Sequence, residues 1–110
     1  MAGINVIQFE DKPGFYKGKH FTEYVEEVRS LMRENRLDDA EKLLLALISA
    51  TESDSKYGVA PWYYEKLAIL YRKKKDQKAE IEILERFARQ KHAAGVRTPK
   101  LLARLAKLKA

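Results

Sequence analysis

Arg36-Leu-Asp-Asp-Ala40 and Lys75-Asp-Gln-Lys-Ala79 decide how this chain folds. Each is a short polar stretch ending in alanine. Each lies between two stripes of apolar residues at helical spacing. Before the first, Tyr24, Val28, Leu31 and Met32 recur at i, i+4, i+7 and i+8, one face of a helix. After it come Ala40, Leu43, Leu44, Leu47 and Ile48. The second stretch separates Trp62, Tyr64, Leu67, Ala68 and Tyr71 from Ala79, Ile83, Leu84, Phe87 and Ala88. Tyr24 aligns with Tyr64, and Leu31 with Tyr71, at an offset of 40. A helix pair repeated at such a period marks a helical repeat array. Alanine after the turn makes physical sense, because a small side chain lets the two helices of a hairpin approach closely.

Punctuating residues extend the pattern to five helices. Thr22 can cap the first, its hydroxyl accepting from an orphan N–H, and that helix should end near Asn35. Asp38 and Glu41 read as a capping box for the second. Leu45 and Ala46 make this helix apolar almost all round, which suits burial on two sides. Thr51 to Val59 reads as a loop or a frayed helix end. Pro61 fits the first turn of the third helix, where a missing N–H costs nothing. Arg72-Lys-Lys-Lys75 places cations at that helix's negative end. Asp76 caps the fourth helix, and Gly95 is its expected terminator. Thr98-Pro99 opens the fifth, with Leu101, Leu102, Leu105 and Leu108 as its stripe.

Residues 1–20 differ in character. Ile4 to Phe9 alternates weakly, as a short strand does, and Asp11-Lys-Pro-Gly14 reads as a turn. Phe15 to His20 is aromatic and basic. The expectation is an all-α fold of about five helices: two antiparallel hairpins and a C-terminal capping helix over 21–110, preceded by a short irregular or strand-like arm over 1–20. If the last stripe found no groove within the chain, it would drive dimerisation or docking instead.

Composition agrees. The 110 residues are 45% hydrophobic and 35% charged, as amphipathic helices with charged outer faces would be. The longest apolar run, Leu43 to Ile48, falls far short of the ~20 residues a membrane helix needs. The N-terminus lacks the basic and apolar regions of a signal peptide. Cysteine is absent, so disulfides and thiolate metal sites are excluded. Together these favour a cytoplasmic protein that does not enter the membrane. Charge is uneven. Residues 1–57 hold 8 Lys/Arg against 11 Asp/Glu, and residues 58–110 hold 14 against 5. A strongly basic half suggests an anionic partner, although a merely solvated surface would carry the same residues.

Tyr64, Leu67, Ala68 and Tyr71 resemble the first helix of a tetratricopeptide repeat, with its aromatic, Leu, small residue and Tyr. Asn35-Arg-Leu-Asp-Asp-Ala40, with Leu44 and Leu47, is similar to that family's turn and second helix. The resemblance covers about residues 21–92. Asn35 and Lys75 stand where the family usually has Gly, Ala79 sits one residue early, and Thr51–Ala60 lengthens the repeat. The stretch from Gly58-Val-Ala-Pro-Trp-Tyr-Tyr-Glu-Lys-Leu67 through Phe87-Ala-Arg-Gln90 also resembles helical segments of uncharacterised actinobacterial and phage proteins, some with a DNA-associated HIRAN domain. The family resemblance implies a non-enzymatic adaptor, monomer or homodimer, presenting a groove to a peptide or an acidic protein surface. Carried over, that groove would be lined by Tyr24, Arg29, Tyr63, Lys66 and the turn Arg72, Lys73, Lys74 and Lys75.

Catalytic and cofactor chemistry finds little support in the residues. His20 and His92 are the only imidazoles, and no phosphate loop or two-His metal motif exists. His20 with Glu23 supplies two ligands, which do not make a metal site. Glu26 and Glu27 read as a solvated face. Nucleic acid is the alternative partner, with Lys78, Arg86, Arg89, Lys91, Arg97, Lys100, Arg104 and Lys107 as phosphate contacts beside His92 and Lys109. A small phage-type inhibitor masking a host surface is a third reading. Trp62, Tyr64 and Tyr71 should pack in the core, leaving Tyr57 and Tyr63 as exposed interface anchors.

Overall fold

A computed structural model describes residues 12–110, so the strand expected over Ile4–Phe9 lies outside the described residues. Strands β1 (Phe15–Tyr16) and β2 (Lys19–His20) lead into a 3-10 turn, Phe21–Tyr24. Five helices follow: α1 (Val25–Arg33), α2 (Leu37–Ser53), α3 (Pro61–Lys73), α4 (Gln77–Ala88) and α5 (Arg97–Lys109). The all-α class and the five helices therefore hold among the described residues. The chain forms two compact units, one ending at Asp54 and one running from Ser55 to Ala110.

The first unit is the α1–α2 hairpin with a small β-hairpin laid against α2. At nine residues, α1 is too short to be stable alone in water, so packing rather than propensity holds it. Tyr24 and Val28 are buried, as are Ala40, Leu43, Leu44, Leu47 and Ile48 on α2. Removing each large aliphatic side chain from water contributes about 1.5–3 kcal/mol. The β-hairpin pairs Phe15 with His20 and Tyr16 with Lys19. Its two turn residues, Lys17 and Gly18, both have positive φ, as the tightest hairpin turns require. The hairpin is fixed to the helices by polar contacts. The Tyr24 hydroxyl donates to the Tyr16 carbonyl at 2.6 Å, and the Gly14 N–H donates to Ser53 Oγ at 3.1 Å.

The second unit is the α3–α4 hairpin with α5 packed on both helices. Tyr64 and Phe87 are fully buried, with ring centroids 5.0 Å apart. Leu101 is the one fully inward residue of the α5 stripe; Leu102, Leu105 and Leu108 are half-buried. The loop before α3 is tied to the segment after α4. Val59 N–H donates to the Lys91 carbonyl at 3.0 Å, and Val59 and His92 form a parallel bridge. Gly58 has φ +109° there, and a Cβ on it would fall 2.4 Å from the Ala93 nitrogen.

The two hairpin turns are built alike. Asn35 has φ 59° and Lys75 has φ 58°. Asn35 N–H reaches the Met32 carbonyl and Arg36 N–H the Leu31 carbonyl; Lys75 and Asp76 repeat this with Arg72 and Tyr71. Both helices thus end in a Schellman motif with a non-glycine residue in the left-handed position. The buried positions follow the same offset: Ala40, Leu43, Leu44 and Leu47 on α2, and Glu80, Ile83, Leu84 and Phe87 on α4.

Several expectations need correction. Ala79 is not the counterpart of Ala40; it is half-buried, and Glu80 takes the inward place. Ala88 is exposed, because α4 ends there with Arg89 as its cap residue, well before Gly95. The 3-10 turn is capped by His20 instead of Thr22: His20 Nδ1 accepts from Thr22 N–H, and Glu23 reaches back to the His20 N–H. Asp38 lies inside the first turn of α2, whose cap position is Arg36, so no capping box forms there. Thr98 and Pro99 likewise lie inside α5. Pro61 at the start of α3 and Asp76 capping Ala79 N–H are as the sequence indicates.

Candidate functional site

The Glu80 carboxylate organises the basic end of the second unit. Register forces it inward: a residue at position 80 shares the buried face with Ile83, Leu84 and Phe87. The residue is only 1% exposed. An isolated carboxylate there would be strongly disfavoured by lost hydration. Two guanidiniums compensate. Arg72 Nε, from the last turn of α3, donates to Glu80 Oε2 at 2.9 Å. Arg104 Nε, from α5, donates to the same oxygen at 3.0 Å, and its Nη2 lies 3.4 Å from Oε1. One side chain thereby links three helices.

Beside this cluster, the α3–α4 turn exposes Lys73, Lys74, Lys75 and Lys78. Lys73, Lys75 and Lys78 have no carboxylate partner among the described residues. Lys75 also occupies the left-handed position, which Gly or Asn fills most easily.

Other sequence-selected cations are partnered within the unit. Arg97 Nε donates to Glu65 at 2.6 Å, with Lys100 3.9 Å from the same carboxylate. Lys109 donates to Glu85 at 2.7 Å and holds that carboxyl below its ordinary value. Lys91 donates to the Lys56 carbonyl. Arg86 is half-buried on α4, while Arg89 and Lys107 are exposed. Lys66 lies 5.5 Å from the Trp62 ring centroid, a cation–π distance. Arg29 belongs to the first unit, 4.0 Å from Glu26.

Tyr63 does not serve as an exposed anchor. It is 3% exposed, its ring packs edge-on to Trp62 at 4.9 Å, and burial pushes its hydroxyl pKa up. Trp62 is the half-buried member of that pair. Tyr63 and Leu70 are buried along with Tyr64, Leu67 and Ala68, so the apolar face of α3 is wider than one stripe. Tyr24 is equally unavailable to a partner, being buried. Tyr57, by contrast, is exposed as expected.

The first unit has a cavity of about 570 Å3 between the β-hairpin side and the α1–α2 turn. Its lining balances Lys17, Arg36 and Lys42 against Glu27, Glu34 and Asp39, so it offers no net charge to a ligand. Among the described residues, no His, Cys, Asp or Glu cluster could hold a metal ion. His20 and Glu23 are engaged in capping. No described helix is long and apolar enough to cross a membrane. Comparison with known families, curated proteins and solved structures gives no match for this chain.

Glu80 is the residue that sequence reading passed over. Its signal was available: a carboxylate on the inward register of α4, with arginines near one end of α3 and on α5.

Proposed function

We propose that this chain is a non-enzymatic, tetratricopeptide-like binding module that docks an acidic segment of a partner protein on the α3–α4 turn. The observation that carries the reading is the group of exposed lysines there, three of them without a counter-charge among the described residues. Like charges gathered at one turn repel each other, and an acidic partner relieves that repulsion while steering encounter. Lys75 adds a second argument. A lysine in a left-handed position costs roughly 1 kcal/mol relative to glycine, and such local strain concentrates at functional sites.

A nucleic-acid backbone is the weaker reading. Arg97, Lys100 and Lys109 already face carboxylates. Exchanging those partners for phosphates releases fewer counterions than binding through free cations. The test is capture of partners by wild-type protein and by a Lys73/Lys75/Lys78→Glu variant, after nuclease treatment. The docking reading expects one protein to be captured by the wild type and lost from the variant. Equal capture by both would refute it.

A further inference from the structure

We propose that the cleft beside the α3–α4 turn is a binding site for a phosphomonoester group, held by Arg72, Lys75 and Arg104. The cleft has a volume of about 240 Å3 and is also lined by Asp76, Gln77, Glu80 and Leu108. That is below the ~300 Å3 at which drug-sized ligand pockets begin, so it suits a small group.

The geometry follows from the buried carboxylate. Glu80 Oε2 receives both Nε atoms, at 2.9 and 3.0 Å, and so holds two guanidiniums side by side. Arg72 is held through Nε alone, and Arg104 through Nε and Nη2. Arg72 keeps both of its terminal amino groups for other acceptors, and Arg104 keeps Nη1. A planar fork already fixed by one partner loses little freedom when it grips a second. Glu80 acts here as a positioning residue.

The donors select the ligand class. Arg72, Lys75 and Arg104 against Glu80 and Asp76 leave the lining with one positive charge in excess, which favours an anion. Lys75 has no carboxylate partner among the described residues, and Asp76 is turned to capping α4 through Ala79 N–H. The open amino groups of Arg72 and Arg104 with the Lys75 ammonium suit the three terminal oxygens of a phosphomonoester. A carboxylate or a phosphodiester offers two such oxygens, and a diester must also leave the cleft at both ends. Arginine forks fit the oxygens of a phosphoryl group in bidentate fashion. The site goes beyond the acidic docking reading and stands without it, because a small anion probes the cleft alone.

The test is a titration of the full chain with inorganic phosphate at constant ionic strength, reading the arginine Nε–Hε resonances. Saturable shifts of Arg72 and Arg104 are expected, weakened about fivefold in Lys75→Gln, which removes roughly 1 kcal/mol of attraction. Lys75 is exposed, so that variant folds. Arg72→Lys, which keeps the charge and loses the fork, should also weaken binding. A phosphoserine peptide binding more tightly than phosphate, with its unphosphorylated form silent, would identify a modified protein segment as the source. Equal affinity would identify a small phosphorylated molecule. Non-saturating shifts, unchanged binding in Lys75→Gln, or equal binding of dimethyl phosphate would overturn the proposal.

Discussion

Glu80 occupies in the second hairpin the place that Ala40 occupies in the first: both are buried, four residues after the cap position of the hairpin's second helix. The neighbouring position changes with it. Arg72, which grips Glu80, corresponds to Met32 at the same offset of 40. The first hairpin carries apolar residues at the two positions where the second carries an ion pair, to which Arg104 adds a second cation.

Replacing Glu80 with Gln keeps the shape and removes the charge between two guanidiniums. Loss of charge-assisted hydrogen bonds at a buried site costs about 2 kcal/mol, reduced from the fully buried case because both arginines are partly hydrated. Urea denaturation should show a lower midpoint. An unchanged midpoint would mean that the cluster contributes nothing to the fold.

The reciprocal change, Ala40→Glu, should be worse tolerated. Its carboxylate would enter a fully buried position, and Met32 stands at the place that corresponds to Arg72. A cost above about 3 kcal/mol is expected, measured as loss of helical circular dichroism or of the cooperative transition.

Gly58→Ala would combine a φ of +109° with a Cβ 2.4 Å from the Ala93 backbone nitrogen. The loop must shift, and the Val59 to Lys91 hydrogen bond should open. Destabilisation of about 2 kcal/mol or more is expected. Faster hydrogen exchange at Val59 N–H would place the damage at the tie between the two segments.

Stability should respond to acid through Glu85. Its hydrogen bond from Lys109 holds the folded carboxyl below its unfolded value. The contribution is therefore present above the unfolded value and lost as pH falls through the folded one. The Tm of Glu85→Gln should lie below that of the wild type near neutrality and converge with it in strong acid. A constant difference across pH would contradict this coupling.

Lys75→Gly separates stability from binding. Glycine accepts the left-handed backbone that lysine resists, so the variant should be more stable by about 0.5–1 kcal/mol. It should also bind the acidic partner less well. A variant that gains stability and keeps full affinity would show that the lysine at this position is incidental.

The helices and their turns were legible because apolar spacing acts locally, whereas the cap readings at Thr22, Asp38 and Thr98 failed. Pro61 and Asp76 behave as their chemistry dictates. The β-hairpin was less visible, since two-residue strands carry almost no alternation; the Lys17-Gly18 pair between aromatics was its one signal. Glu80 was missed because the small-residue rule pointed to Ala79, whereas register placed the next residue inward. Only tertiary structure brings Arg72 and Arg104 to it. The sequence reading of Tyr63 failed because it gave α3 a single apolar stripe, whereas Tyr63 and Leu70 are buried as well. The basic half looked uniform in sequence; the fold divides it into cations paired to Glu65, Glu80 and Glu85 and lysines left open.

The most direct measurement compares partner capture by the wild type and by the Lys73/Lys75/Lys78→Glu variant, both nuclease-treated and both checked for an unchanged fold by circular dichroism. The docking account predicts one protein bound by the wild type, absent from the variant, and released as salt rises. Capture that is unaffected by the charge reversal, or no capture by the nuclease-treated wild type, would contradict it.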